Sequence, residues 1–87
     1  MKLTFTESAW QDYLSFQEQD RPLLKRLNEL IRDTLRSPFR GIGKPEPLKG
    51  ELSGYWSRRI TEEHRLVYQA SATALMIISC RYHYEKE

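Results

Sequence analysis

The sequence predicts an α+β fold, with two N-terminal helices packed on one face of a small antiparallel sheet in the order β-α-α-β-β-β. Three observations predict it. Leu23, Leu24, Leu27, Leu30, Ile31 and Leu35 recur at helical spacing, which makes a clean amphipathic stripe. From Leu52 onward the pattern changes to short β-type runs. Between these regions lies the only long loop, Ser37 to Gly50, which holds three of the four Pro and three of the four Gly. A chain of 87 residues has room for one hydrophobic core, so residues 1–87 are expected to form one domain with 85–87 as a short tail.

Lys2-Leu3-Thr4-Phe5 alternates polar and apolar residues and suits a first strand. Thr6 is placed to cap a helix, with Glu7 in its first turn. Trp10, Tyr13, Leu14 and Gln17 share one face of that helix, with Phe16 at the border, and this aromatic stripe is expected in the core. Asp20 caps the next helix, and Pro22 is tolerated in its first turn because no intrahelical acceptor is missed there. Lys25, Arg32 and Arg36 fall opposite its leucines, either as a solvated stripe or as contacts to a phosphate backbone. The Pro-stiffened loop is expected to be functional or closely packed. Strands are then expected over Tyr55–Ile60, His64–Tyr68 and Leu75–Tyr82. Thr61-Glu62-Glu63 forms the first turn and Ser71-Ala72-Thr73 the second connection.

Composition excludes several classes. Apolar residues make up 39% and charged residues 30%, with mean hydropathy −0.70, which suits a folded chain with a charged surface. No apolar run approaches the roughly 18 residues that span a bilayer, and no signal peptide precedes the first strand. The expected location is the cytoplasm. Cys80 has no partner for an internal disulfide, closes an apolar run, and reads as a core residue in a reducing compartment. One Cys and two His argue against a four-ligand zinc site, and no cofactor is expected. Residues 1–35 carry five Lys/Arg against six Asp/Glu, whereas residues 36–84 carry eight against four. That basic half points to a polyanion, with a solvated surface as the alternative.

Strand alternation puts Arg65 and Val67 on one face, and likewise Arg81 and His83. If the helices cover one side of the sheet, Arg65 and His83 can meet on the other, with Glu46 leaning over from the loop. A carboxylate, an imidazole and a guanidinium suit metal-free RNA cleavage, because the 2′-OH is an internal nucleophile. Glutamate is ionised and available as base, histidine titrates near neutral pH as acid, and arginine grips phosphate oxygens. The alternatives are a surface Glu46, an Arg65 paired with Glu62 or Glu63, and a His83 at a fraying strand end.

Three blocks narrow the choice: "GKPEPLK" at 43–49, "SGYWSRRITEEHRLVY" at 53–68 and "CRYHY" at 80–84. With Ala9-Trp10 and Asp12-Tyr13, they resemble the YoeB/Txe family of bacterial toxins, within the wider RelE/ParE-like group, essentially end to end. The resemblance implies a RelE-like fold similar to small microbial ribonucleases. It also implies the toxin of a type II toxin–antitoxin system, with a YefM-like antitoxin as partner. The implied activity is ribosome-dependent cleavage of mRNA in the A site, without a cofactor, by a chain that binds the ribosome as a homodimer. Glu46 matches the family's general base, His83 its general acid, Arg65 the guanidinium that stabilises the transition state, and Tyr84 the tyrosine that orients substrate. Lys49 and Arg59 match positive positions near the phosphate, and Glu63 a supporting carboxylate. The chain departs from the family in continuing with Glu85-Lys86-Glu87 after that tyrosine. Two other readings stand beside it: a ParE-like toxin that inhibits gyrase by protein binding, and a plain RNA-binding domain using the basic half.

Overall fold

The computed structural model describes residues 1–81. Its order is β1 (Lys2–Phe5), α1 (Glu7–Gln19), α2 (Arg21–Arg36), β2 (Glu46–Pro47), β3 (Trp56–Arg59), β4 (Arg65–Ala70) and β5 (Ala74–Ser79). A short 3₁₀ turn, Gly50–Leu52, separates β2 from β3. The predicted fold class holds, with two corrections. The sheet has five strands, ordered β1-β5-β4-β3-β2, because the loop contributes the two-residue β2. It is also mixed rather than wholly antiparallel, since β1 pairs parallel to β5 with Lys2 opposite Ala74 and Phe5 opposite Ile77. The parallel pairing leaves no local trace because its partners lie near opposite ends of the chain, and Pro47 masks the strand signal of β2.

The caps act as read. Thr6 Oγ1 accepts the Ala9 N–H at 3.1 Å and donates to Ile78 O at 3.1 Å, so one hydroxyl starts α1 and ties it to β5. Asp20 Oδ1 accepts the Leu23 N–H at 3.1 Å to start α2. The core forms where Leu23, Leu27, Leu30 and Ile31 of α2 and Ala9 and Phe16 of α1 meet Leu66, Tyr68, Leu75 and Ile77 of the sheet. Cys80 joins them, fully buried, and burial pushes its thiol up to about 12. The face expected for α1 is rotated. Ala9 and Phe16 are its buried residues, whereas Trp10 is 45% exposed and Gln17 is exposed. Small Ala9 brings the helix close to Cys80, whose Sγ lies 3.6 Å from Ala9 O. Trp10 turns outward and stacks on Tyr13 at 5.5 Å, with Phe5 edge-on to both rings.

Arg58 joins sheet, helix and loop. It sits on β3 with no exposed surface, and all five of its N–H donors are used. Nε donates to the Tyr68 hydroxyl at 3.2 Å; Nη1 donates to Asp33 Oδ2 at 2.7 Å and Ile42 O at 3.1 Å. Nη2 donates to Ser37 O at 2.6 Å and Arg40 O at 3.0 Å. The Tyr68 hydroxyl in turn donates a hydrogen bond to Pro38 O at 2.6 Å, a role that needs a neutral phenol, and burial raises its pKa accordingly. Gly41 (φ 127°) closes over this cluster, where a Cβ would run into the Asp33 carboxylate. At Gly43 (φ 81°) a Cβ would lie 2.7 Å from Leu30 Cδ2. The glycines therefore let the loop lie directly on the buried guanidinium.

Arg58→Met keeps the bulk but strands Asp33 and three loop carbonyls. Unfolding by urea should show a loss of about 3–5 kcal/mol. The Arg58 guanidinium beside Asp33 also holds that carboxyl below the usual range. A depressed native pKa contributes stability above the unfolded value, and that stability is lost as pH falls through the acid range. Asp33→Asn is therefore expected to lower the melting temperature at pH 7 and to flatten its decline between roughly pH 5 and 3.

Candidate active site

β3 separates two chemistries by alternation. Trp56 and Arg58 point to the helices, together with Leu66 and Tyr68, their partners on β4. Ser57 and Arg59 point to the other face, opposite Val67 and Arg65. Glu46 of β2 pairs with Ser57 and so shares that face. The face thus carries two rows: Glu46, Ser57 and Val67 in one, and Arg59 with Arg65 in the next. From strand spacing and rise, the Glu46 Cα lies about 8 Å from that of Arg59 and about 12 Å from that of Arg65. Long side chains span such gaps around one phosphodiester.

The loop delivers Glu46 to this position. Arg58 holds its first half, and Gly43 O then accepts the Arg59 N–H at 2.7 Å, three residues before Glu46. Beyond it, the Leu48 N–H donates to Tyr55 O at 2.9 Å, extending the pairing. Pro47 is tolerated because β2 is the edge strand and needs no outward donor. Leu48 and Val67 are buried without belonging to the cluster beneath the helices. Trp56 backs the sheet from the helix side, tilted against Phe39 at 4.8 Å.

Arg65 is fixed by its own turn. Nη1 donates to Thr61 O at 2.6 Å, Glu62 O at 3.1 Å and His64 O at 3.1 Å. Thr61 Oγ1 in turn accepts the N–H groups of Glu63 and His64 at 3.1 and 3.0 Å, shaping the turn that supplies those carbonyls. The guanidinium is thus held by backbone carbonyls of its own turn. A cation preset in this way needs little reorganisation to meet an anion.

Of the residues singled out in the sequence, Glu46, Arg59 and Arg65 come together on this face. Glu63 stands in the turn beside Arg65, its side chain 70% exposed and its Oε1 3.9 Å from His64 Nε2. Lys49 is exposed at the opposite end of the rows, where its carbonyl opens the 3₁₀ turn. His83 and Tyr84 lie outside the described residues. His64 faces the helices, with its ring edge-on to Phe16 at 5.4 Å, and does not share the Glu46 face. Sequence reasoning passed over Arg58, whose signal was an Arg-Arg pair inside a strand: alternation must turn one of the two inward. Among the described residues no cluster of three or more metal-ligating side chains occurs, and no helix is long and apolar enough to cross a membrane.

Known proteins resemble the chain over nearly its whole length. Residues 5–84 match the family described as "YoeB-like toxin of bacterial type II toxin-antitoxin system". Toxin YoeB of a Synechocystis strain is 63% identical over 86 residues, covering 99% of this chain and all of the relative. A YoeB/ParE toxin from Agrobacterium tumefaciens superposes with a TM-score of 0.93 at 53% identity, over 97% of this chain and all of the other. Structures of Staphylococcus aureus YoeB, as a dimer and in a heterotetramer with YefM, superpose with TM-scores of 0.90 and 0.89. Both are 47% identical, over 97% of this chain and 98% of theirs. With its sequence and its fold matching over nearly the whole length, this chain belongs to the YoeB family of toxins from bacterial type II toxin–antitoxin systems.

Proposed function

We propose that the toxin is an endoribonuclease that cuts mRNA in the ribosomal A site by metal-free general acid–base chemistry. The observation that carries this reading is the alignment of Glu46 with Arg59 and Arg65 on the face away from the helices. Glu46 takes the proton of the 2′-OH, whose oxygen bonds to the adjacent phosphorus. The bond from phosphorus to the 5′-oxygen breaks, and His83 protonates the departing oxygen. The products are a 2′,3′-cyclic phosphate and a 5′-hydroxyl. Arg65, preset by its turn, stabilises the charge that grows on the phosphorane. Arg59 and Lys49 hold neighbouring phosphates, Glu63 supports the cationic end, and Tyr84 orients the substrate base.

The working location is the cytoplasm, where ribosomes are found. A YefM-like antitoxin is the natural inhibitor, by analogy with the S. aureus complex, and the S. aureus dimer supports a homodimeric working form. Mapping of mRNA 5′ ends on translating ribosomes tests the reading. Glu46→Ala and His83→Gln are each expected to lower the cleavage rate by about 100-fold or more. Full cleavage by the double variant overturns the mechanism, and growth arrest by gyrase inhibition with intact messages would select the ParE-like reading. Protein treated with EDTA and then freed of the chelator should cut as fast as untreated protein. A loss restored by adding back a divalent cation would refute metal-free chemistry.

A further inference from the structure

One polar side chain on the Glu46 face has no part in the chemistry proposed above. Ser57 sits on β3 between two partners, paired with Glu46 of β2 on one side and Val67 of β4 on the other. Arg59 stands two residues along the same strand, and Arg65 lies diagonally across on β4. From strand spacing and rise, the Ser57 Cα is about 5 Å from that of Glu46, about 7 Å from that of Arg59 and about 8 Å from that of Arg65. Ser57 is only 4% exposed, beside buried Val67. Its hydroxyl makes no hydrogen bond among the described residues, yet its oxygen is not sealed from solvent. Alanine would pack in that place without an unmet donor. A hydroxyl there is a loss unless a ligand supplies the missing acceptor.

We propose that Ser57 is a further catalytic residue, whose hydroxyl donates a hydrogen bond to a non-bridging oxygen of the scissile phosphate, a role that rests on the proposed RNA cleavage. The line that joins Glu46 to Arg65 passes between Ser57 and Arg59. A phosphate served by that base and that cation therefore lies over Ser57, with the Arg59 stem on its other side. Charge grows on the non-bridging oxygens as the 2′-oxygen adds to phosphorus. A donor fixed beneath them holds the phosphorane more strongly than the unreacted diester. The arginines supply charge from the ends of long, rotatable side chains. Ser57 supplies a neutral donor from a short side chain on a paired strand, so little freedom is lost when it is used. The proton stays on Ser57 throughout, and no covalent bond to it forms or breaks. A nucleophilic role does not suit it, because among the described residues no base is hydrogen-bonded to its hydroxyl.

The test follows single-turnover cleavage of a short message on ribosomes by the native toxin and by Ser57→Ala, which removes only the oxygen. The variant is expected to melt at the native temperature, to keep its apparent affinity for ribosomes, and to cut about 100-fold more slowly. Messages with sulfur in place of one or the other non-bridging oxygen at the cut site separate contact from packing, since sulfur is the weaker acceptor. In the native toxin, sulfur at the oxygen facing Ser57 should slow cutting. In Ser57→Ala that penalty should shrink while the penalty at the other oxygen stays. Native-like cutting by Ser57→Ala overturns the inference and leaves the roles of Glu46 and His83 standing. Slower cutting with both sulfur penalties unchanged also overturns it, because Ser57 would then act through packing alone. If the native toxin cuts no message on the ribosome, the nuclease reading falls and the role of Ser57 falls with it.

Discussion

Arg58 is the interaction on which the arrangement depends. A buried guanidinium is costly unless every donor is met, and here five acceptors from three parts of the chain meet it. One is a carboxylate on α2, one a phenol on β4, and three are carbonyls of the 37–42 segment. A loop has few ways to satisfy its carbonyls away from water, and this one satisfies three on a single side chain. The same cluster therefore fixes where the C-terminal end of α2 sits and the path the chain takes to β2. Glu46 owes its place opposite Ser57 to that path.

The sheet works as a partition. Even-numbered residues of β3 and β4 build the core with the helices, and odd-numbered residues present Ser57, Arg59, Arg65 and Val67 on the other side. A one-residue slip in register would exchange the two sets, burying Arg59 and exposing Arg58, so core packing also selects the register of the candidate site. Turn and strand support one another at Arg65, where Thr61 arranges the backbone whose carbonyls receive the guanidinium. The fold is thus tied to these polar residues by strand alternation.

Much of this was legible along the chain. Thr6 and Asp20 announced both helices, because a cap is a contact between residues three apart. The α2 leucines announced a buried face, and Glu46, Arg59 and Arg65 stood out within blocks matching the family. What escaped involved remote partners. Trp10 read as core because its spacing matched a helical face, yet Ala9, smaller and closer to β5, decided which way α1 turns. The two-residue β2 looked like loop because Pro47 suppresses a strand signal, and only its edge position makes Pro acceptable. Counting charge along the chain placed the basic excess after residue 35, whereas helical spacing had already put Lys25, Arg32 and Arg36 on one face of α2. A linear count adds neighbours in sequence, whereas a helix adds residues three and four apart.

By itself, the sequence determined the types of element, their caps, the family and the groups available for chemistry. Local hydrogen bonds and periodic burial act within a few residues, so they are written in neighbouring letters. The tertiary structure alone decided that β1 lies parallel to β5, that Arg58 turns inward while Arg59 turns outward, and that Glu46 comes level with Ser57. Those outcomes depend on which surfaces meet when the core closes, and on whether an enclosed charge finds acceptors brought from 10 to 25 residues away.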